Sequence, residues 1–346
     1  MEDRARILTG YPHEVSVTDA VLRNHWHPVA TSDELGKAPL GVSLLDERIV
    51  VWRAKEKVAA FRDLCVHRGT ALSLGWVQEG NLVCAYHGWT YGPDGGCVRI
   101  PSLLPGRAIP AKARATAVFT AQERYGLVWV CLAEPKAPIP EIPELEDSNY
   151  HTFFHSADVW ETSAARMIEN FIDTSHFPYV HPDINATRDD PVIPDFEVKH
   201  SGLELSFETK FTAPSGEAFR GPNALSSYSA FTEGRRQYRV VLPFVAQAIR
   251  PMAEGRRQLV SIIASPISAK RMRYYTFSSR NFALDRPDDA FRELIQTIFA
   301  QDRIIVESQR PEELPLDLSE ELHLKGPDSG TLQYRRMLGE MGVRFT

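Results

Sequence analysis

Cys65-Val66-His67-Arg68-Gly69 and Cys84-Ala85-Tyr86-His87-Gly88-Trp89 decide how this chain is read, because each stretch holds one cysteine and one histidine. That even split suits a [2Fe–2S] cluster in which two thiolates hold one iron and two imidazoles hold the other, each loop presenting one ligand of each kind. The glycines that follow the two histidines permit the tight turns needed to wrap a cluster. The competing reading is a structural zinc site with two cysteines and two histidines. Such sites usually keep the cysteines on one arm and the histidines on the other, whereas here they interleave.

The arms C-x-H-R-G and C-x-Y-H-G-W resemble those of the Rieske non-haem iron oxygenases. The resemblance implies a second metal, a mononuclear ferrous iron, with its ligands further along the chain. Asn170-Phe171-Ile172-Asp173-Thr174-Ser175-His176, running on through Phe177-Pro178-Tyr179-Val180 to His181, matches the family pattern N-x-x-D-x-x-H-x-x-x-x-H without a gap. It implies His176 and His181 as iron ligands, with Asn170 and Asp173 as catalytic-site residues. Two histidines and one carboxylate form the ligand face that ferrous oxygenases use.

Periodicity points to the carboxylate. Residues Pro287 to Arg310 read as an amphipathic helix, with Asp285 as N-cap and Pro287 near the first turn. Phe291, Leu294, Ile295, Ile298 and Ile305 form its apolar stripe, and Asp302 falls within it. A carboxylate on the core-facing side must be paired or bound to a metal. The alternatives are an ion pair with Arg166 or iron ligation, and the resemblance, which implies an aspartate ligand on a late helix, selects ligation by Asp302. Asp173, three residues before His176, can share a helical face with it and fix its imidazole tautomer. The resemblance further implies that Asp173 bridges His176 to His87 of a neighbouring subunit, which requires an oligomer, a head-to-tail homotrimer.

The 346 residues suggest about two domains, and the formal net charge of −6 argues against nucleic acid as a partner. Met1 to Glu14 is charged and lacks an apolar signal core, and the longest apolar run, near Tyr125 to Ala133, is too short to span a bilayer. No membrane association and a cytoplasmic location are therefore expected. Of the four cysteines, Cys97 and Cys131 remain beyond the ligand pair and read as small buried hydrophobes. The ligand loops lack the additional cysteines that give high-potential respiratory Rieske proteins a disulfide, which favours a reducing compartment.

Four parts are expected: an N-terminal segment over 1–23, a Rieske [2Fe–2S] domain over 24–134, a proline-rich linker over 135–145 and a catalytic iron domain over 146–346. Val42 to Trp52 and Val58 to Phe61 read as strands, and Pro93-Asp94-Gly95-Gly96 as a hairpin turn beyond the second ligand arm. Further strand-like runs are Leu203 to Phe211, Tyr238 to Leu242, Leu259 to Ser265 and Met272 to Arg280. The fold class is α+β: a small antiparallel β-sandwich followed, as the resemblance implies, by a large antiparallel sheet gripping a long C-terminal helix, a helix-grip arrangement. His25 and His27 read as structural. Phe231, Val240, Phe244 and Ile262 are pocket candidates that read rather as sheet core, and the arginine pairs Arg235-Arg236 and Arg256-Arg257 are candidates to meet an anionic substrate that read rather as solvated surface.

The resemblance implies a terminal oxygenase that uses O2 and the [2Fe–2S] and ferrous centres to hydroxylate or oxidatively demethylate a small aromatic or heterocyclic substrate. The chain has no G-x-G-x-x-G fingerprint, so NAD(P)H acts only through a separate reductase or ferredoxin. Two other readings are carried: an aromatic-ring cis-dihydroxylating dioxygenase, and a Rieske electron carrier without catalysis.

Overall fold

The apolar run Ile49-Val50-Val51-Trp52 is buried without interruption because its strand is covered on both faces. Ile49 and Val51 join the main core, whereas Val50 and Trp52 face a smaller cluster containing Cys65 and Cys84. The computed structural model describes residues 20–181, 186–214 and 231–344, so most of the N-terminal segment lies outside the described residues.

The chain begins with β1 (His27–Thr31), β2 (Leu40–Leu44), β3 (Glu47–Ala54) and β4 (Lys57–Arg62). Four short strands follow, β5 (Trp76–Gln78), β6 (Asn81–Val83), β7 (Thr90–Tyr91) and β8 (Cys97–Arg99), and then β9 (Val118–Arg124) and β10 (Leu127–Cys131). Six of these make an antiparallel sheet in the order β1-β10-β9-β4-β3-β2, and the short four make a second in the order β5-β6-β7-β8. The hairpin between β7 and β8 turns at Pro93 to Gly96. Gly95 N–H donates to the Gly92 carbonyl at 2.9 Å, and Gly96 N–H to Asp94 Oδ1 at 3.1 Å.

The second half opens with β11 (His151–Trp160), α1 (Ala164–Ile172) and α2 (Phe177–Val180). It continues through β12 (Val198–Ser201), β13 (Glu204–Pro214), β14 (Phe231–Val241), β15 (Val245–Pro251), β16 (Arg257–Ser268) and β17 (Arg271–Arg280). The helices α3 (Asp289–Val306) and α4 (Ser329–Glu340) close the chain. All seven strands form one antiparallel sheet in the order β11-β17-β16-β15-β14-β13-β12. The chain enters at one edge, crosses by α1 and α2 to the other, and meanders back, so α1 lies against the central strands and beside α3.

The long helix differs from its sequence reading at both ends. It starts at Asp289, with Asp288 rather than Asp285 as its N-cap residue. The Asp288 carboxylate is held outside the helix by Arg280 Nη1 at 2.7 Å and His151 Nε2 at 2.9 Å. It ends at Val306, not Arg310, just before Ser308 Oγ donates to the Ile305 carbonyl at 2.6 Å. The buried face is Phe291, Ile295, Phe299, Asp302 and Val306, while Ile305 is exposed. At about 100° per residue this face is turned roughly 60° from the expected stripe, and Asp302 belongs to both.

One core runs through both halves. Val128 and Val130 of β10 lie in the same cluster as Ala246, Ile262 and Tyr274 of the large sheet. The proline-rich stretch is not a loose tether: Ile139 and Ile142 are buried with Trp26, Trp129, Ile263 and Tyr275.

Candidate metal centres

The two cysteine–histidine loops are built on one plan. Cys65 N–H donates to the Thr70 carbonyl at 2.8 Å and Gly69 N–H to the Cys65 carbonyl at 2.9 Å. Cys84 N–H donates to the Trp89 carbonyl at 2.9 Å and Gly88 N–H to the Cys84 carbonyl at 3.0 Å. Each six-residue turn closes through a glycine in the left-handed region, with φ +72° at Gly69 and +68° at Gly88, where a side chain would be strained. The fold sorts the interleaved donors by kind. Cys65 and Cys84 are both buried and unbridged, each thiol acting on the other's ionisation, and the His67 and His87 rings lie 4.5 Å apart.

Trp89 stacks flat on His67 at 4.6 Å, and the buried His67 Nδ1 has no hydrogen-bond partner. The Cys84 contact, the Tyr91 hydroxyl at 3.2 Å and the backbone N–H groups of His67 and Arg68 pull the Cys65 thiol down to about 5 against the opposing effect of burial. The same thiol contact, with burial, pushes Cys84 up. Paired thiols, paired imidazoles and an orphaned ring nitrogen fit a cluster with two different irons. Cys97 is only half-buried, its Sγ donating to the Arg99 carbonyl at 3.3 Å, whereas Cys131 is fully buried as expected.

The second constellation lies where α1 ends. Ser163 caps α1, its Oγ accepting from Arg166 N–H at 3.1 Å, and the helix stops at Ile172 because Asp173 is extended. Asp173 and His176 therefore do not share a helical face, contrary to expectation. Asp173 instead organises the turn between α1 and α2: its carboxylate accepts Ser175 N–H at 3.1 Å, His176 N–H at 3.0 Å and His176 Nδ1–H at 2.8 Å. Burial alone would lower the His176 pKa, but the Asp173 carboxylate, with Asp302 behind it, raises it.

Among the described residues, His176, His181 and Asp302 are the one group of three such side chains whose donor atoms converge, all within 4.8 Å. His176 Nε2 is 3.2 Å from His181 Nε2, and Asp302 Oδ1 is 2.9 Å from His181 Nε2 and 3.5 Å from His176 Nε2. Asp302 Oδ1 is buried yet makes no hydrogen bond of proper geometry. Donors bonded to one ion at about 2 Å sit about 3 Å from one another, so the set fits a two-histidine, one-carboxylate site. His181 Nδ1–H donates to Gln301 Oε1 at 2.8 Å, which leaves Nε2 as the free donor.

The alternative ion pair between Asp302 and Arg166 does not form. Arg166 is taken by Glu321 at 2.7 Å, within a buried network that includes Glu169 and Arg335. Asn170 is half-buried on the last turn of α1, and its carbonyl accepts Asp173 N–H at 3.3 Å. Val240, Phe244 and Ile262 lie in the main core as read, and the side chain of Phe231 lies outside the described residues. His27 is structural, its buried Nε2 bonding the Leu22 carbonyl at 2.9 Å. Gln301 was missed because its partner stands 120 positions away; its place beside Asp302 is the only local signal.

Comparison with known proteins agrees with this geometry. Residues 160–344 match the family model for the vanillate O-demethylase oxygenase C-terminal domain, and residues 25–114 match that for the Rieske [2Fe-2S] domain. The chain is 31% identical over 339 residues to methylxanthine N1-demethylase NdmA of Pseudomonas putida, covering 92% of this chain and 89% of that protein. It is 29% identical over 304 residues to the oxygenase component of dicamba O-demethylase of Stenotrophomonas maltophilia, covering 83% of this chain and 87% of the other. The solved structure of Pseudomonas putida CBB5 NdmA with caffeine superimposes with a TM-score of 0.79 at 29% identity, covering 92% of this chain and 91% of that one.

Proposed function

The chain belongs to the Rieske non-haem iron oxygenases, an oxidoreductase family of oxygenase components in multicomponent systems, and from that membership we propose that it oxidatively demethylates a small aromatic or heterocyclic substrate. The observation that carries the reading is the convergence of the free donor atoms of His176, His181 and Asp302 on one point. In this reading those three side chains hold ferrous iron, and Cys65, His67, Cys84 and His87 hold the [2Fe–2S] cluster. When bound, the two centres supply single electrons and oxygen activation, so that one atom of O2 enters a carbon–hydrogen bond and the other leaves as water.

The remaining roles fall to the chain's own groups. Asp173 and Gln301 keep Nδ1 of the two histidines protonated and so aim each Nε2 inward. Phe177, which touches both His176 and His181, and Phe211, in edge contact with it at 5.6 Å, limit water around the site. Hydroxylation of a methyl group on oxygen or nitrogen leaves a hemiacetal or carbinolamine, which loses formaldehyde. The relatives named above are an N-demethylase and an O-demethylase, which supports this outcome over ring dihydroxylation. The reading of an electron carrier without catalysis falls with the family assignment.

Electrons come from a separate reductase or ferredoxin, and the working form is a homotrimer in which Asp173 of one protomer meets His87 of the partner subunit. Support for that assembly comes from the apolar residues left exposed in and near the cluster loops, Tyr86 at 63% and Val66 at 38%, with Trp76 at 48% and Val98 at 55%. Free cysteines and the lack, among the described residues, of a helix long and apolar enough to cross a membrane agree with a cytoplasmic location. The functional division is a cluster domain over 24–134, a linker over 135–145 and a catalytic domain over 146–346.

The test is oxygen uptake and formaldehyde release, with a surrogate reductase, against methoxy-, N-methyl- and methyl-substituted aromatic compounds. Formaldehyde in step with oxygen is expected from methoxy or N-methyl substrates. Uptake coupled to a hydroxylated product without formaldehyde would replace demethylation by plain hydroxylation.

A further inference from the structure

Arg236 lies on β14 between Gly234 and Tyr238, and alternation along a strand places these three on one face. That face is turned toward the helices: Tyr238 is buried in the main core, its hydroxyl 3.3 Å from Thr174 Oγ1. Across the ladder Arg236 pairs with Thr209, whose Oγ1 lies 3.0 Å from the same Thr174 Oγ1. Thr174 follows Asp173 in the turn that carries His176. Arg236 therefore belongs to the wall against which the metal-binding turn is packed, and the β14–β15 ladder, which runs from Gln237 to Val241, stops short of it.

Its neighbours behave differently. Arg235 and Arg239, on the opposite face, hold Glu233 at 2.9 Å and Glu204 at 2.6 Å. Arg236, read from sequence as surface, is half-buried on the inner face and has no carboxylate or hydrogen-bond partner among the described residues. Burial lowers its pKa, with only Tyr238 acting in the other direction. A guanidinium withdrawn from water without an anion is costly, and its flat fork of donors matches a carboxylate in two parallel hydrogen bonds.

We propose that Arg236 binds the carboxylate of an anionic aromatic substrate and so sets which end of the ring faces His176, His181 and Asp302. The inference rests on the demethylase reading for the rest of the substrate, a ring bearing a methyl group on oxygen or nitrogen. It gives the site a preference for acids over neutral molecules of the same shape.

The experiment is calorimetric titration of the purified holoprotein with 4-methoxybenzoate and with its neutral isostere 4-methoxybenzamide, for the wild type, Arg236→Gln and Arg236→Lys. The wild type is expected to bind the acid at least tenfold more tightly than the amide. Arg236→Gln loses that preference, and Arg236→Lys, which keeps the charge without the fork, retains part of it. Thermal unfolding separates this from a structural role, because removing a half-buried cation that faces no anion leaves the midpoint of Arg236→Gln at or above the wild-type value. Equal wild-type affinities for acid and amide, binding of neither, or a preference that survives in Arg236→Gln would overturn the assignment. Preference without formaldehyde release counts against demethylation alone, and formaldehyde release without preference counts against Arg236 alone.

Discussion

His181 donates through Nδ1 to the side-chain oxygen of Gln301 at 2.8 Å, while His176 donates through Nδ1 to a carboxylate, Asp173, at the same distance. The two imidazoles are thus held in one tautomer by partners of unlike charge. An amide orients its ring, whereas a carboxylate also makes its ring more basic. The neutral partner sits beside Asp302 on α3 and the charged one on the turn between α1 and α2.

Gln301→Leu should therefore weaken iron binding by about 10- to 100-fold while leaving the cluster intact. Iron retained against a competing chelator, read beside the visible absorption of the cluster, measures this. Unchanged retention would mean that Gln301 does not orient His181.

Asp173→Asn keeps one side-chain oxygen for the two His176 N–H donors, loses the acceptor for Ser175 N–H and removes the charge. Both metals should stay bound and the cluster should still accept electrons from a reductase, while product formation falls by about 10- to 100-fold. Asp173→Ala should lose turnover as well, with some loss of order in the turn. Near-normal product formation in Asp173→Asn would remove the carboxylate from any route between the metal centres.

Asp302→Ala should lower iron from about three to about two atoms per chain, because the cluster keeps its two and the mononuclear site loses its only acid. Metal analysis with EPR of the reduced cluster gives both numbers at once. Three irons retained in the variant would exclude Asp302 as a ligand.

Burial depresses His27 from 6.5 to about 4, with the Leu22 carbonyl opposing and His25 adding to the shift. Its folded pKa lies below its unfolded one, so the unfolded chain binds the extra proton between them. Stability is complete above about pH 6.5 and is lost as pH falls toward 4, by an amount on the order of 3 kcal/mol. His27→Gln keeps a donor for the Leu22 carbonyl and cannot titrate. Denaturant unfolding at pH 7 and pH 5 should show a smaller drop for the variant than for the wild type, and equal drops would contradict the assignment.

The parts of the sites that were legible in the sequence are those whose chemistry is local. Each cluster turn carries its cysteine, histidine and glycine within six residues, and His176 and His181 stand five apart. Asp302 was legible because a polar residue on a helix's apolar face is conspicuous even when the face is misjudged. Ile305 was taken for core because an isoleucine carries no sign of which side of the stripe is covered, and packing against the sheet and α1 decided that. The contact of Asp173 with His176 Nδ1 is present, but not on the shared helical face that the spacing suggests: a spacing of three suits a helix and an aspartate-stabilised turn alike. Gln301 could not be read, since it depends on a partner 120 residues away, and Arg236 reads as surface because the sequence does not tell which face of β14 turns inward. Strand β11, His-Thr-Phe-Phe-His-Ser-Ala-Asp-Val-Trp, mixes polar residues on both faces and gave no signal, and α4 opens on Ser-Gly-Thr, poor helix formers.

The side chains of β10 that pack among Ala246, Ile262 and Tyr274, and the isoleucines wedged between Trp129 and Ile263, mean that the redox portion is not a cassette. Grafting this protein's cluster-bearing half onto another oxygenase would tear open a shared hydrophobic interior on both donor and recipient. Chimeras meant to alter reduction potential are better made by exchanging the two six-residue turns, whose cysteines pack in the separate smaller cluster, than by exchanging halves.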